Sequence, residues 1–405
     1  MSTIGALQDD SEIRKLPWWG RRLESWIQGS AAGQITIYLP DGKKLFARGD
    51  NAGPIAEFTI HRARMVRRIL MSGDIGLFES YRDGDWSTPD IAQLLEFGLR
   101  NEEALSETLT GTPASALINR IRHKLHANTK RGSRKNIAFH YDLGNAFYAK
   151  WLDETMTYSS GLFRDTSEDL AEAQRNKYRR IAEQLALKPQ DRVLEIGCGW
   201  GGFAELAAEE FGCHVTGLTI SKEQLKFAKE RIQRAGMSNR AKFYLEDYRD
   251  MPGLFDKIVS IEMFEAVGEE YWPAYFDVVR ERLKPGGKAA LQIITIADER
   301  FEAYRKGVDF IQKYIFPGGL LPSRSVLKNV VEQSGLTWKD EAFFGVSYAD
   351  TLKLWHERFL DNWDNIRPLG FDEQFKRLWT YYLSYCEAGF RAGSINVGQL
   401  VIERP

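Results

Sequence analysis

The sequence predicts an α/β protein: a Rossmann-like domain with a mostly parallel sheet, preceded by a smaller α+β domain. Three observations point there. The stretch 191-DRVLEIGCGWGGFAELAAEEFG-212 reads as a short apolar strand, a glycine loop and a helix. Further strand–helix units follow it at regular spacing, which is the pattern of an open sheet with ligands at the carboxyl ends of its strands. The length of 405 residues exceeds one ordinary core, so two domains are expected.

In chain order, residues 12–30 form an amphipathic start carrying Leu16, Trp18, Trp19, Leu23, Trp26 and Ile27. This is a helix packed on its own domain or, on the rarer reading, a membrane-contacting patch. In residues 34–50, Ile35, Ile37 and Leu39 alternate with polar residues, and Asp41-Gly42 supplies the turn of a hairpin. Phe58 to Met71 reads as strand then helix, Ile75 to Asp85 as turn-rich, and Pro89 opens a helix ending near Arg100. Residues 1–119 are taken as this first domain, lipid-facing or dimerising. Residues 120–135 form a basic linker with seven Lys or Arg between Arg120 and Lys135, suited to an anionic membrane surface. Residues 136–405 form the second domain.

Within it, 139-FHYDLGNAFYAKWLDETMTYSSGLF-163 has the aromatic richness of a lid, and Glu168 to Leu187 reads as a long helix. Strands are expected at Arg192–Ile196, His214–Ile220, near 243, at Phe255–Met263 and at Lys288–Ile296. Ser221 caps the helix that carries Gln224. Asp298 to Pro322 reads as a long, site-shaping loop. Two last strands, near 337–346 and 395–403, form an antiparallel pair, with helices between them that include Phe371–Arg391.

A formal net charge of -1 and the absence of aromatic interleaving in the basic run argue against nucleic acid. Cys198, Cys213 and Cys386 lack metal-ligand spacing, so no metal is expected, and their odd, sparse count fits a reducing compartment. With no signal pattern and no long apolar run, a soluble cytoplasmic protein is expected, peripherally associated with the inner face of the membrane.

The glycine loop selects the cofactor. Gly197, Gly199 and Gly201 let a ligand approach the backbone. The second strand ends in Thr219-Ile220-Ser221 rather than the acid a dinucleotide would favour, while Glu195 precedes the loop and Asp247 follows the third strand. Carboxylates around the loop suit a sulfonium and oppose a pyrophosphate. S-adenosylmethionine is therefore expected, held by Gly197, Gly199, Gly201, Thr219, Gln224 and Asp247, with Tyr158 and Ser159 from the lid side.

Over residues 135 to 405 the chain resembles the cyclopropane-fatty-acyl-phospholipid synthases and their mycolic-acid relatives, which contain a class I methyltransferase domain. The matching pieces are HYDLGNAFY, MTYSSGLF, LEIGCGWGGFA, GLTISKEQ, EDYRD, MFEAVG, KYIFPGG, FFGVSYADTLKLW and YYLSYCEAGFRAGSINVGQLV. The resemblance implies methyl transfer to the cis double bond of an unsaturated phospholipid acyl chain, followed by proton loss to a bound bicarbonate. That anion would lie among a Cys, a Glu, a His and a Tyr. Carried over, the Glu is Glu265 and the Tyr is Tyr348, while Ser160 replaces the Cys and Gln292 the His. Ala266 stands where the family often has His, and Glu262 where many members have Gly. Glu262, Glu265, Tyr348, Ser160 and Gln292 are the candidate catalytic set, with Tyr348 first choice for steadying the cation. Phe139, Phe147, Phe310, Ile315, Phe316 and Phe343 are candidates for an acyl tunnel. The first domain resembles that of the bacterial synthases and implies a homodimer. Cyclopropane formation is the leading expectation. A methyl-branched or methylene chain is the close alternative, and a small-molecule methyltransferase or a non-enzymatic lipid-binding protein the remote ones.

Overall fold

The computed structural model describes residues 14–102, 143–165 and 167–405. The basic run Arg120 to Lys135 and Phe139 lie outside the described residues. The chain forms two compact units: one from residues 1–121, 307–310 and 371–394, the other from 122–306, 311–370 and 395–405.

The first unit holds a four-stranded sheet of β1 (Ala32–Tyr38), β2 (Lys44–Arg48), β3 (Asn51–Ile60) and β4 (Trp86–Ser87), in the order β2-β1-β3-β4. The expected hairpin is the antiparallel β1–β2 pair, with Ile35 and Ile37 buried by the period-two alternation. β3 then runs parallel to β1. Its helices are α1 (Trp18–Gln28), α2 (Arg64–Arg82), α3 (Ile91–Arg100) and the long helix Glu373–Ala392. Two expectations change here. Ile75 to Asp85 is mostly helix: Gly73 at φ 57 only kinks α2, and burial of Ile75 and Phe78 carries the helix onward to Arg82. The helix Glu373–Ala392, capped by Asp372 and ended by Gly393 in the left-handed region, clusters with the amino-terminal elements. A single boundary near residue 119 did not anticipate this. Tyr381 on that helix packs with Phe78 and Phe310, so Phe310 is a packing residue of this unit rather than tunnel lining.

The second unit contains β5 (Arg192–Ile196), β6 (His214–Thr219), β7 (Ala241–Leu245), β8 (Phe255–Ile261), β9 (Leu283–Ile296), β10 (Thr337–Phe343) and β11 (Ile395–Glu403). Their order is β10-β11-β9-β8-β5-β6-β7. The five strands from β9 to β7 are parallel, and β10 and β11 form the expected antiparallel pair at one edge. One face of the sheet is covered by α4 (Leu170–Gln184), α5 (Gly202–Glu210) and α6 (Lys222–Arg234), through Ile181, Phe203 and Ile232. The other is covered by α7 (Trp272–Arg282) and α8 (Arg324–Gln333), through Trp272, Phe276, Leu327 and Val331. α9 (Gly345–Asp361) follows β10. The stretch expected as a loop, Asp298 to Pro322, contains the helices Asp298–Lys306 and Phe310–Tyr314. From β5 the chain moves outward through β6 and β7, then returns to place β8 on β5's other side. That reversal opens a crevice at the carboxyl ends of β5 and β8.

Candidate active site

The crevice is a cleft of ≈ 1120 Å³, its open mouth included. Met156–Ser159, Glu195–Trp200, Gly202, Leu218–Ile220, Gln224, Glu246–Arg249 and Ile261–Met263 line it, with Ala266 and Val267. Gly197 and Gly199 take φ of 81 and 50, conformations in which a side chain is strained. A Cβ on Gly197 would stand 2.8 Å from Met263 Cγ. Ser221 Oγ accepts the Gln224 N–H and starts α6, and Thr219 Oγ1 donates to Gln224 Oε1 at 2.8 Å. Thr219 and Gln224 are thereby fixed as a pair at the end of β6.

Of the expected cofactor residues, Tyr158, Ser159, Gly197, Gly199, Thr219, Gln224 and Asp247 share this cleft. Gly201 does not line it. At φ 84 it precedes α5, and a Cβ there would meet Ala228 and Phe243, so its glycine serves the turn and helix–strand packing. Asp247 carries a bidentate pair with Arg249, both contacts 2.7 Å, which leaves Glu246 as the neighbouring acid without that arginine clamp.

The lining chemistry fits S-adenosylmethionine. Glu195 is buried with Oε2 unpartnered, and desolvation raises its carboxyl to about 8. Glu246 and Glu262 supply negative charge, Glu195 can ionise when a cation arrives beside it, the lining arginine is already paired, and the glycines open the backbone. A cation with a nucleoside is accommodated; a pyrophosphate would face these carboxylates.

At the cleft wall, three of the candidate catalytic residues meet on the carboxylate of a fourth, Glu262. Glu262 Oε1 accepts the Ser160 backbone N–H at 2.9 Å and Gln292 Nε2 at 2.7 Å. Its Oε2 accepts the Tyr348 hydroxyl at 2.6 Å. Glu262 sits just past β8 with φ 49, so the backbone turns sharply to aim it inward. Ser160 contributes its backbone and not its hydroxyl, because Ser160 Oγ donates to Gly161 O. Tyr348 likewise meets the site through its hydroxyl. The ring better placed against the cleft is Tyr158, packed by Tyr148, Trp151 and Trp355 at centroid distances of 5.3–5.5 Å. Phe147 belongs to the same packed aromatic cluster, 5.8 Å from Trp151 and 6.4 Å from Phe359.

Glu265 lies outside the cleft lining. Its Oε1 accepts the Ile294 N–H at 2.6 Å and its buried Oε2 has no partner. Desolvation first, and Glu262 second, raise its carboxyl to about 8. Burial also raises Glu262, opposed by Lys177, Tyr348, Ser160 and Gln292. When the two carboxylates hold one proton between them, it belongs on Glu265, which has the fewer stabilising partners.

Lys177 was not foreseen as a site residue. It lies in the polar run EAQRNKYRR, yet it is fully buried. Its Nζ donates to Ser159 Oγ at 2.5 Å. Desolvation lowers its ammonium to about 7, against the opposing pull of Glu262, Asp153 and Glu195.

Residues 128–400 match the family described as mycolic acid cyclopropane synthetase. The chain is 40% identical over 365 residues to tuberculostearic acid methyltransferase UfaA1 of Mycobacterium tuberculosis, covering 85% of this chain and 82% of that protein. It is 37% identical over 361 residues to the cyclopropane-fatty-acyl-phospholipid synthase of Escherichia coli K12, covering 87% and 89%. Among solved structures, mycolic acid cyclopropane synthase CmaA1 in complex with SAH and CTAB matches with a TM-score of 0.63 at 31% identity. That match covers 67% of this chain and 98% of the other.

Proposed function

This chain belongs to the mycolic acid cyclopropane synthetase family and is an S-adenosylmethionine-dependent methyltransferase, and from that premise we propose that it methylates the cis double bond of an unsaturated fatty acyl chain in a phospholipid, using Glu262 as its resident base. One observation carries the reading: the three donors around Glu262 are those among which the family resemblance would seat bicarbonate, and the chain's own carboxylate already occupies them.

Bound in the cleft, S-adenosylmethionine supplies an electrophilic methyl group. Gly197 and Gly199 would leave it room at the backbone, Thr219 and Gln224 would hold it at the end of β6, and Glu195 would stand beside its positive charge. The double bond would contribute its π pair to the new carbon–carbon bond as the methyl's bond to sulfur breaks and that electron pair stays with the departing thioether, leaving a cation on the neighbouring chain carbon. That cation accepts no hydrogen bond. An aromatic face such as Tyr158 and the negative charge of Glu262 stabilise it. Glu262 then takes one proton. Loss from an adjacent chain carbon leaves a double bond beside a methyl branch; loss from the added methyl closes a cyclopropane.

The filled anion pocket and the 40% identity to a tuberculostearic acid methyltransferase favour the branched product. Ring closure is the second reading, favoured by the 37% identity to the Escherichia coli synthase. Incubation with a monounsaturated phospholipid, hydrolysis and proton NMR separates them. An olefinic signal with a new methyl branch supports the first; high-field cyclopropyl signals overturn it. Glu262→Gln is expected to abolish turnover and keep cofactor affinity, and retained turnover would remove Glu262 from the chemistry.

Membrane contact through the basic run Arg120 to Lys135 completes the reading. Liposome flotation that needs anionic lipid and weakens with salt supports it, whereas equal binding to neutral vesicles contradicts it. Among the described residues no helix is long and apolar enough to cross a membrane. A homodimer is proposed on the family resemblance alone; light scattering that returns a monomer ends it.

A further inference from the structure

Gln399 on β11 is the direct cross-strand partner of Gln292 on β9, and both are fully buried. Gln399 Nε2 donates to the Lys177 backbone carbonyl at 3.2 Å and to Gln292 Oε1 at 3.0 Å. An amide nitrogen has two hydrogens, so both are used. A backbone carbonyl can only accept, and it therefore dictates which end of the Gln399 amide faces α4. So fixed, Gln399 offers Gln292 only N–H. Gln292 must turn its oxygen toward β11 and its nitrogen toward Glu262, which it meets at 2.7 Å. Without that anchor, Gln292 can rotate about its last bond and set its oxygen against the Glu262 carboxylate.

We propose that Gln399 is a positioning residue for the reaction: anchored on the Lys177 carbonyl, it locks the Gln292 amide with its N–H toward Glu262. The inference rests on the reading of Glu262 as base. A stability role explains Gln399 less well, because its own Oε1 is buried without a partner, a penalty that an apolar side chain of the same shape avoids. Gln399 is not among the residues lining the cofactor cleft, so its effect falls on the chemical step and not on cofactor binding.

The test uses the full chain with monounsaturated phospholipid vesicles and S-adenosylmethionine, comparing Gln399→Met, Gln292→Met, the double variant and Glu262→Gln. Gln399→Met is expected to lower kcat about tenfold, the scale of one loosened hydrogen bond to a charged group, with KM for S-adenosylmethionine unchanged. In the Gln292→Met background the same change should have no further effect. Should the methionine variant fail to fold, Gln399→Glu keeps the shape; at best it donates one hydrogen where the glutamine donates two, so it releases or inverts Gln292 and should lower kcat at least as much. Wild-type kcat in the folded Gln399 variants, or full additivity with Gln292→Met, overturns the proposal. If Glu262→Gln itself retains turnover, the reading of Glu262 as base has failed; if Glu262→Gln is inactive while Gln399 variants run at the wild-type rate, only this inference has.

Discussion

Replacing Glu262 by Gly, the residue that the family resemblance implies at this position, should convert a self-contained site into an anion-dependent one. The change removes a carboxylate that accepts three hydrogen bonds, from Ser160 N–H, Gln292 Nε2 and the Tyr348 hydroxyl. It leaves those donors, with Lys177 behind them, around a hole of carboxylate size. Loss of a positioned base lowers turnover by roughly 10²–10⁴ fold. The backbone should tolerate the change, because Glu262 holds φ 49 and glycine relieves about 1–2 kcal/mol of left-handed strain, offset in part by about 0.5–1 kcal/mol of added unfolded-state entropy. The assay is S-adenosylhomocysteine release in carbon-dioxide-depleted buffer, with and without bicarbonate, formate or acetate. The variant should be nearly silent alone and recover activity with a small carboxylate-like anion, while the wild type ignores these additions. Wild-type turnover by Glu262→Gly without any anion would refute the assignment of the base. So would failure of every anion to rescue a variant that still binds the cofactor.

Gly197→Ala forces a residue at φ 81 to carry a Cβ 2.8 Å from Met263 Cγ; the loop must shift to relieve that contact, and a cradle displaced from its ligand is expected to bind S-adenosylmethionine roughly tenfold more weakly by calorimetry, a loss of about 1.4 kcal/mol, and unchanged affinity would contradict the cradle. Glu265 has its carboxyl raised from 4.5 to about 8, so the folded state keeps a proton that the unfolded state releases; its contribution to stability is complete below about pH 4.5 and is lost as pH rises toward 8. Chemical denaturation between pH 5 and 7 should therefore show a fall in wild-type stability that Glu265→Gln reduces by on the order of 2 kcal/mol, and equal slopes would refute it. Because Glu195 is also raised to about 8 beside the proposed cation site, cofactor binding at pH 7 should release protons, visible as a binding enthalpy that depends on the buffer's ionisation enthalpy and that Glu195→Gln reduces.

What could be read from the chain was what is encoded locally. A glycine with positive φ between strand and helix, a serine N-cap and a period-two strand each need only a few neighbouring residues. The loop at Gly197 and Gly199, the Ser221 cap and the β1–β2 hairpin therefore emerged where expected. The proposed base site is not local. Glu262 gathers donors from residues 160, 292 and 348, and no spacing in sequence distinguishes it from the neighbouring Glu265, on which the family pattern placed the weight. Lys177 was hidden for the opposite reason: its surroundings in sequence are polar, and only the packing of α4 under the cleft buries it. The helix Glu373–Ala392 was foreseen as a helix, but its membership of the first unit is a tertiary fact that its amphipathic pattern cannot carry.

A tethered base differs from a bound anion in a way that bears on the product. A diffusible bicarbonate must be captured and loses translational freedom at each binding event, but it can settle wherever the pocket and the acyl chain leave room. As the proposed base, Glu262 needs no capture, and its effective concentration is fixed by the backbone turn at the end of β8. Three hydrogen bonds then hold both oxygens, so the carboxylate reaches only those protons within a small arc of its tether. Which proton leaves is accordingly decided by where the acyl chain lies relative to that arc, and a shift of about 1 Å is enough to change a rate a hundredfold. Substitutions that move the tether without removing the charge, such as Glu262→Asp, are thus expected to change the ratio of branched to cyclised product before they abolish methyl transfer. A Glu262→Asp variant that slows the reaction with an unaltered product spectrum would instead place the choice in the acyl pocket.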